Sequence, residues 1–174
     1  MTIKSFFFVL ILLLATVLQS SFLPLLNPFQ TAPNLVLVLV LIWRFLRPEK
    51  IISEGDWPLF EFFLGAVLAG VILDLFSGLP FGLISLSFLI TIYLIDRLTK
   101  NVFGRINFWT LSVLVLIAAL FYNLLLIGLT RATVKELTIV PYLFPTIFLE
   151  MIYNLILFWL IRGLSSVLRQ RTVL

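Results

Sequence analysis

Six long apolar runs, separated by short polar or Gly/Pro-containing breaks, dominate this sequence. A helix needs about 20 predominantly apolar residues to cross the hydrocarbon core of a bilayer. Hydrophobic residues make up 62% of the 174 residues and charged residues 11%, whereas soluble domains are about 45–50% apolar and about 25% charged. We therefore expect an all-α integral membrane protein in which one domain, residues 1–174, is a bundle of six transmembrane helices. The expected spans are 5–26, 33–46, 59–77, 80–95, 108–130 and 145–165.

The ends of these runs carry further expectations. The first run is longer than the apolar core of a signal peptide and lacks an Ala-x-Ala cleavage site, so we expect it to be retained as a helix. The second and fourth runs are short for a span, and we expect neighbouring helices or thinned lipid to shelter them. Pro33, Pro80 and Pro145 are each expected in the first turn of a helix, where a missing N–H is harmless.

The basic residues predict the orientation of the bundle. If the N-terminus is cytoplasmic, all of the 12 Lys and Arg residues except Arg131 and Lys135 fall in cytoplasmic segments. This bias follows the positive-inside rule and places both termini in the cytoplasm. It also explains the net charge of +4 without a nucleic-acid partner, and the basic clusters would favour anionic lipid head groups. Four tryptophans are expected at the cytoplasmic interface, where such rings anchor helices: Trp43, Trp57, Trp109 and Trp159.

Five polar residues inside the expected spans form what we call the polar layer: Gln19, Asp74, Asn123, Glu150 and Asn154. A rise of about 1.5 Å per residue puts them at nearly the same depth, toward the outer face. Because such side chains avoid lipid, we expect them to point into the bundle. Two interpretations compete. The groups either hydrogen-bond one another and tie helices together, or line an outward-facing site for a small polar solute. The scarcity of charged groups favours the structural interpretation.

Asp74 has a local explanation as well. It lies near the end of the third span, where the helix dipole disfavours a negative charge. The fourth span follows after a short turn, and its free N–H groups near Phe81 to Ile84 form a positive end. We therefore expect Asp74 to fold over the turn and cap the fourth helix, with Gly78 and Gly82 allowing close backbone approach.

Small residues line one side of the third span. Ala66 and Gly70 share a face with Asp74, and Gly65 and Ala69 form an adjacent pair. Such faces bring helix backbones into close contact. The helix that packs there belongs either to this chain or to another protein, so these four residues are a candidate partner-packing face.

Catalytic chemistry has little support in the sequence. The chain contains no histidine and no cysteine, which removes the commonest general base and metal ligand as well as any thiolate. Two carboxylates inside the spans are a minimal acid–base pair, but no serine stands with a candidate base. We therefore expect no catalytic residues, no metal site and no cofactor.

In the segment from Phe63 to Phe88, the third span ends in Asp74-Leu-Phe-Ser-Gly. Leu-Pro80-Phe-Gly-Leu and the serine-rich start of the next span follow. This segment resembles the MreD family of bacterial cell-elongation proteins. The end of the first span, Leu18-Gln-Ser-Ser, and the following Pro33-Asn-Leu are also similar. Family members often carry aspartate at the position of Asn34, so an acidic role at that position does not transfer.

The resemblance implies a fold and a function. MreD-like proteins have a fold similar to the substrate-binding subunits of energy-coupling-factor vitamin transporters. They have no known catalytic activity, lie in the bacterial cytoplasmic membrane and associate with MreC, a single-span periplasmic protein. Their complex contains the glycosyltransferase RodA, a penicillin-binding transpeptidase and the cytoskeletal protein MreB. The resemblance thus implies a scaffold or regulator of peptidoglycan synthesis and rod shape, and the alternative is a vitamin-binding transporter subunit.

Overall fold

The computed structural model describes residues 3–22, 33–46, 58–101, 107–133 and 143–171, and within them it is helical almost throughout. The all-α prediction is confirmed for this part of the chain, which contains six α-helices and no strand. The first helix, α1, continues into a single π-helical turn at Leu18–Phe22. The six helices are α1 (Ile3–Val17), α2 (Leu35–Leu46), α3 (Pro58–Ser77), α4 (Leu83–Asn101), α5 (Phe108–Thr133) and α6 (Leu143–Arg171).

Most helix ends lie within a few residues of the expected ones, but α6 runs on to Arg171 and α4 also runs past its expected end. It runs on to Asn101 because Asp96 and Arg97, which the sequence suggests as the start of a loop, have partners on the helix or beside it. Asp96 accepts hydrogen bonds from Arg44 on α2, and Arg97 donates to Tyr93 one turn earlier. The prediction for two prolines was wrong, since Pro33 and Pro80 precede the helices that follow them, whereas Pro145 does lie in the first turn of α6. Residues 23–26 of the first expected span lie outside the described residues.

The short helix α2 lies at the centre of the bundle. It packs against α1, α3, α5 and α6, and most of its apolar side chains are fully buried, including Val36, Val38 and Val40 at 0% exposure. The expectation that neighbouring helices shelter this short run is confirmed. Its 12 residues span only about 18 Å, so at least one end of α2 falls inside the bundle.

Contacts show that the helices of three successive pairs, α1–α2, α3–α4 and α5–α6, run in opposite directions. Phe8 near the start of α1 stacks on Trp43 near the end of α2, with ring centroids 4.1 Å apart. Gly70 in the second half of α3 lies against Ser85 in the first turn of α4. Trp159 in the second half of α6 donates its indole N–H to the Ser112 hydroxyl near the start of α5 at 3.0 Å. Trp43 therefore lies toward the end of the bundle where α1 begins, and Trp159 lies toward the start of α5. Their placement at the cytoplasmic interface stays a prediction, and Trp57 lies outside the described residues.

An ion pair that the sequence reading missed joins α2 to α4 near the C-terminal end of α2. Arg44 donates from Nε and Nη2 to the same oxygen of Asp96, at 3.2 and 2.8 Å. The side chains are only 17% and 10% exposed. This pair explains how α2, although short, is tied to α4 by its last turn.

Large apolar side chains cover the outer faces of α1 and α6. Phe7, Leu14, Phe148 and Leu160 are each more than half exposed. Two helical segments, Phe108–Thr133 and Pro145–Leu164, are long and apolar enough to cross a membrane by length and composition. Shorter apolar helices occur at Phe7–Ser21, Leu35–Phe45 and Phe63–Ser77. Length and composition thus support two spans among the described residues, fewer than the six expected from the sequence.

Candidate functional site

The carboxylate of Asp74 caps α4, as the sequence predicts. Its Oδ1 accepts the N–H of Ile84 at 2.8 Å and its Oδ2 accepts the N–H of Ser85 at 3.1 Å. The Ser85 hydroxyl also donates to Oδ2. Asp74 is 4% exposed, so its charge is held by the positive end of α4 and by three hydrogen bonds rather than by water. The carboxylate therefore serves as a remote N-cap that fastens the end of α3 to the start of α4.

The turn between α3 and α4 is built by serine and glycine. Ser77 donates its hydroxyl to the Asp74 carbonyl at 3.0 Å and accepts the N–H of Leu79 at 3.2 Å. Gly78 and Gly82 have φ angles of +67° and +97°, which L side chains rarely adopt. A Cβ at either glycine would meet nothing within 4 Å. The expectation of close backbone approach was therefore wrong for these two glycines, and their backbone conformation is what requires the absence of a side chain.

The small-residue face of α3 packs inside the chain. A Cβ on Gly70 would lie 2.8 Å from the Cα of Ser85, and one on Gly65 would lie 3.4 Å from Leu12 Cδ1. Ala66 and Ala69 are 0% and 1% exposed. The interpretation of Gly65, Ala66, Ala69 and Gly70 as a docking face for another protein is corrected accordingly, because α1 and α4 already occupy it.

Helix α2 begins inside the bundle, and side-chain amides cap its N-terminus. Gln19, on the π-helical turn after α1, accepts the N–H of Val36 at 3.1 Å. Asn154 on α6 accepts the N–H of Asn34 at 2.7 Å, and the Asn34 side chain accepts the N–H of Leu37 at 3.0 Å.

The remaining donor of this first turn, the N–H of Leu35, bonds to the Pro33 carbonyl at 3.0 Å. All four N–H groups at the start of α2 therefore have partners, which matters because an unpaired backbone group away from water costs several kcal/mol. Asn154 lies eleven residues into α6, so α2 begins about 16 Å along α6. This internal start explains why α2 is short.

The other members of the polar layer lie between α5 and α6. Asn123 donates to the Ala119 carbonyl of its own helix at 3.0 Å. The Glu150 carboxylate lies beside the amides of Asn123 and Asn154. The Tyr122 hydroxyl lies within hydrogen-bonding reach of the Asn34 side chain and within range of the charges of Glu150 and Asp74. Glu150 is therefore the one carboxylate of the layer that no helix N-terminus holds in the described part of the chain.

The structure thus places the residues of the predicted polar layer near one another, but the individual residues have different roles. Asp74 caps α4, Gln19 and Asn154 cap α2, and Asn123 and Glu150 face one another across α5 and α6. Sequence reasoning missed Asn34 and Tyr122. An asparagine directly before an apolar helical run is a recognised N-cap signal. The role of Asn34 as a cap could therefore have been predicted if the start of the helix had been placed at Leu35 instead of Pro33. Tyr122 carried no such signal, because it stands within a continuous apolar run.

Among the described residues, no three His, Cys, Asp or Glu side chains lie close enough together to hold a metal ion. Comparison with known proteins adds no assignment: no protein-family model, no curated protein and no solved structure matches the chain significantly.

Proposed function

We propose that this chain is a non-catalytic, multi-pass protein of the bacterial cytoplasmic membrane, with six transmembrane helices and both termini in the cytoplasm. In this proposal it is a scaffold or regulator of peptidoglycan elongation and rod shape. It binds an MreC-like single-span protein, and through it a RodA-type glycosyltransferase and a penicillin-binding transpeptidase, with MreB acting indirectly. The proposal rests on the resemblance of the segment around Asp74 to the MreD family.

The exposed surface of the helices supports placement in a membrane. The outer faces of α1 and α6 carry Phe7, Leu14, Phe148 and Leu160 at 56%, 66%, 64% and 65% exposure. Contiguous apolar surfaces of this kind are rare on soluble monomers. In lipid they carry no penalty, and the helices shorter than a full span are accommodated by local thinning of the bilayer.

One observation favours a scaffold function over a catalytic or transport function. The residues of the MreD-like motif, Asp74, Gly78, Pro80 and Gly82, form a closed structural turn in which the carboxylate is saturated by Ile84 and Ser85. Gln19 and the Asn154 carbonyl are likewise held by the N-terminus of α2. A motif whose polar groups are all engaged in bracing helices suits a protein that holds partners in place rather than one that transforms a substrate.

Affinity purification from the native membrane tests this function. The tagged chain should recover an MreC-like protein together with the elongation glycosyltransferase and transpeptidase, while an equally expressed, unrelated multi-pass protein recovers neither. Mass spectrometry of the same sample separates the alternative. A stoichiometric vitamin bound to the chain, with no cell-wall protein present, would favour the transporter subunit and overturn the scaffold.

A further inference from the structure

The amide of Asn154 has one end engaged and the other end free. Its Oδ1 accepts the N–H of Asn34 at 2.7 Å. This bond determines the orientation of the amide, because the flipped rotamer would set two N–H groups against each other. Asn154 is 0% exposed, and its Nδ2 has no hydrogen-bond partner among the described residues. Buried side-chain donors nearly always have a partner, and leaving one without costs about 1–3 kcal/mol.

The free donor lies next to polar groups from two helices. Glu150 precedes Asn154 by one turn of α6, and its carboxylate lies beside the Asn154 and Asn123 amides. It approaches Asn154 without completing a hydrogen bond of standard distance and angle. The Tyr122 hydroxyl comes from α5 and lies within electrostatic range of the Glu150 carboxyl group. A donor, an acceptor and a hydroxyl therefore converge on one small region between α5 and α6.

The charges around this region limit what it can bind. Asp74 and Glu150 both act on Tyr122, so an anion would be repelled. Asn154 offers only its N–H donor, because its oxygen is engaged by Asn34, so a bare metal cation would gain no ligand atom from it. A neutral hydroxyl-type oxygen satisfies all three groups, because it accepts from Asn154 and from the Tyr122 hydroxyl while it donates to Glu150.

We propose that Asn154, Glu150 and Tyr122 form a binding site for one neutral hydroxyl-type oxygen, supplied by a water molecule or by the hydroxyl of a small solute. The site does not depend on the scaffold function, since it follows from the amide geometry at the start of α2. After the helix caps are formed, one donor of the polar layer, Asn154 Nδ2, has no hydrogen-bond partner in the part of the chain that is described, and a single exchangeable oxygen supplies the missing acceptor.

Radiolytic hydroxyl labelling in ¹⁸O-water tests the site, because a bound oxygen brings radical chemistry to a ring that bulk water does not reach. Tyr122 is 6% exposed, and Phe8, which stacks on Trp43 near the far end of α2, is 5% exposed. If the site takes water, Tyr122 should be labelled several-fold faster than Phe8 in the detergent-purified chain. Glu150→Leu should reduce the Tyr122 rate to that of Phe8, and Glu150→Gln should preserve it.

These variants leave the Asn154–Asn34 bond intact, so a loss of labelling does not report unfolding of the α2 cap. Native mass spectrometry identifies the second source of the oxygen. An adduct that is present in the native chain and in Glu150→Gln, but absent in Glu150→Leu, supports a solute. Slow labelling of Tyr122 with no such adduct overturns the site and indicates that Asn154 and Glu150 close on each other directly.

Discussion

The Cα of Ser85 lies so close to Gly70 that a methyl group on Gly70 would stand 2.8 Å from it. The N–H of the same serine bonds to Asp74, one turn further along α3. A close backbone approach and a charged cap therefore meet at one residue of α4. Each depends on the other, because Asp74 reaches the first turn of α4 only while the two helices remain this close.

Gly70→Ala should destabilise the chain by about 1–3 kcal/mol, since the added methyl forces the two helix backbones apart. Gly128→Ala is the matched control. Gly128 is exposed on α5, and a Cβ there meets nothing within 4 Å, so this substitution should raise stability by about 0.5–1 kcal/mol through helix propensity. Thermal unfolding in detergent measures both. Equal effects of the two substitutions would contradict the close approach.

Asp74→Asn should lower stability by about 1 kcal/mol, because the amide oxygen still accepts one hydrogen bond while the interaction of the charge with the start of α4 is lost. Asp74→Leu should lower it by about 2–4 kcal/mol, since the N–H groups of Ile84 and Ser85 are left buried without an acceptor. Ser20→Ala, which removes an exposed hydroxyl bonded to its own helix, should change little. Two Asp74 variants of equal stability that both fail to support cell shape would show that the carboxylate does more than brace the turn.

The two glycines of the turn should differ in their tolerance of asparagine. Gly78 has a φ of +67°, near the left-handed region that asparagine adopts, whereas Gly82 at +97° lies beyond it. Gly78→Asn should therefore be milder than Gly78→Val, and Gly82→Asn should be costly, about 1–2 kcal/mol. Unfolding midpoints of the three variants decide the order. If the Gly82→Asn variant were as stable as the Gly78→Asn variant, backbone conformation would not explain why glycine stands at these two positions.

Arg44→Leu should destabilise the chain by about 2 kcal/mol, because it removes two charged hydrogen bonds to Asp96 at a mostly buried position. Arg97→Gln is the comparison. Arg97 is exposed and bonds only to Tyr93 among the contacts described above, so its loss should cost less than about 1 kcal/mol. A larger effect at Arg97 than at Arg44 would refute the role of the α2–α4 ion pair.

Orientation in the membrane is testable with single cysteines, because the chain has none of its own. Phe88 early in α4 packs on Tyr122 in the second half of α5, so these two helices are antiparallel. Arg97 and Arg131, exposed near the ends of the two helices, therefore lie at opposite ends of the bundle. In intact cells an impermeant maleimide should label Arg131→Cys and should label Arg97→Cys only after lysis. Labelling of both before lysis would contradict the number of spans, and labelling of Arg97→Cys alone would contradict the cytoplasmic termini.

The sequence predicted those features that depend on neighbours in the chain. The apolar runs indicated where helices lie, and Asp74 could be assigned to the start of α4 because only a short turn separates them. Prediction from the sequence failed where the interacting residue is distant along the chain. Arg44 and Asp96 each resemble an ordinary charge at the end of a run, and the small face of α3 does not reveal whether its partner is internal.

By itself, the sequence determined a helical chain with an apolar exterior and a braced turn after α3, because hydrophobic periodicity, glycine conformation and helix capping are local properties. Only the tertiary structure decided that α2 lies at the centre and that Asn154, 120 residues away from Asn34, caps its first turn. The physical reason is that a buried helix end must find its acceptors wherever packing brings them. That choice depends on the arrangement of all six helices at once.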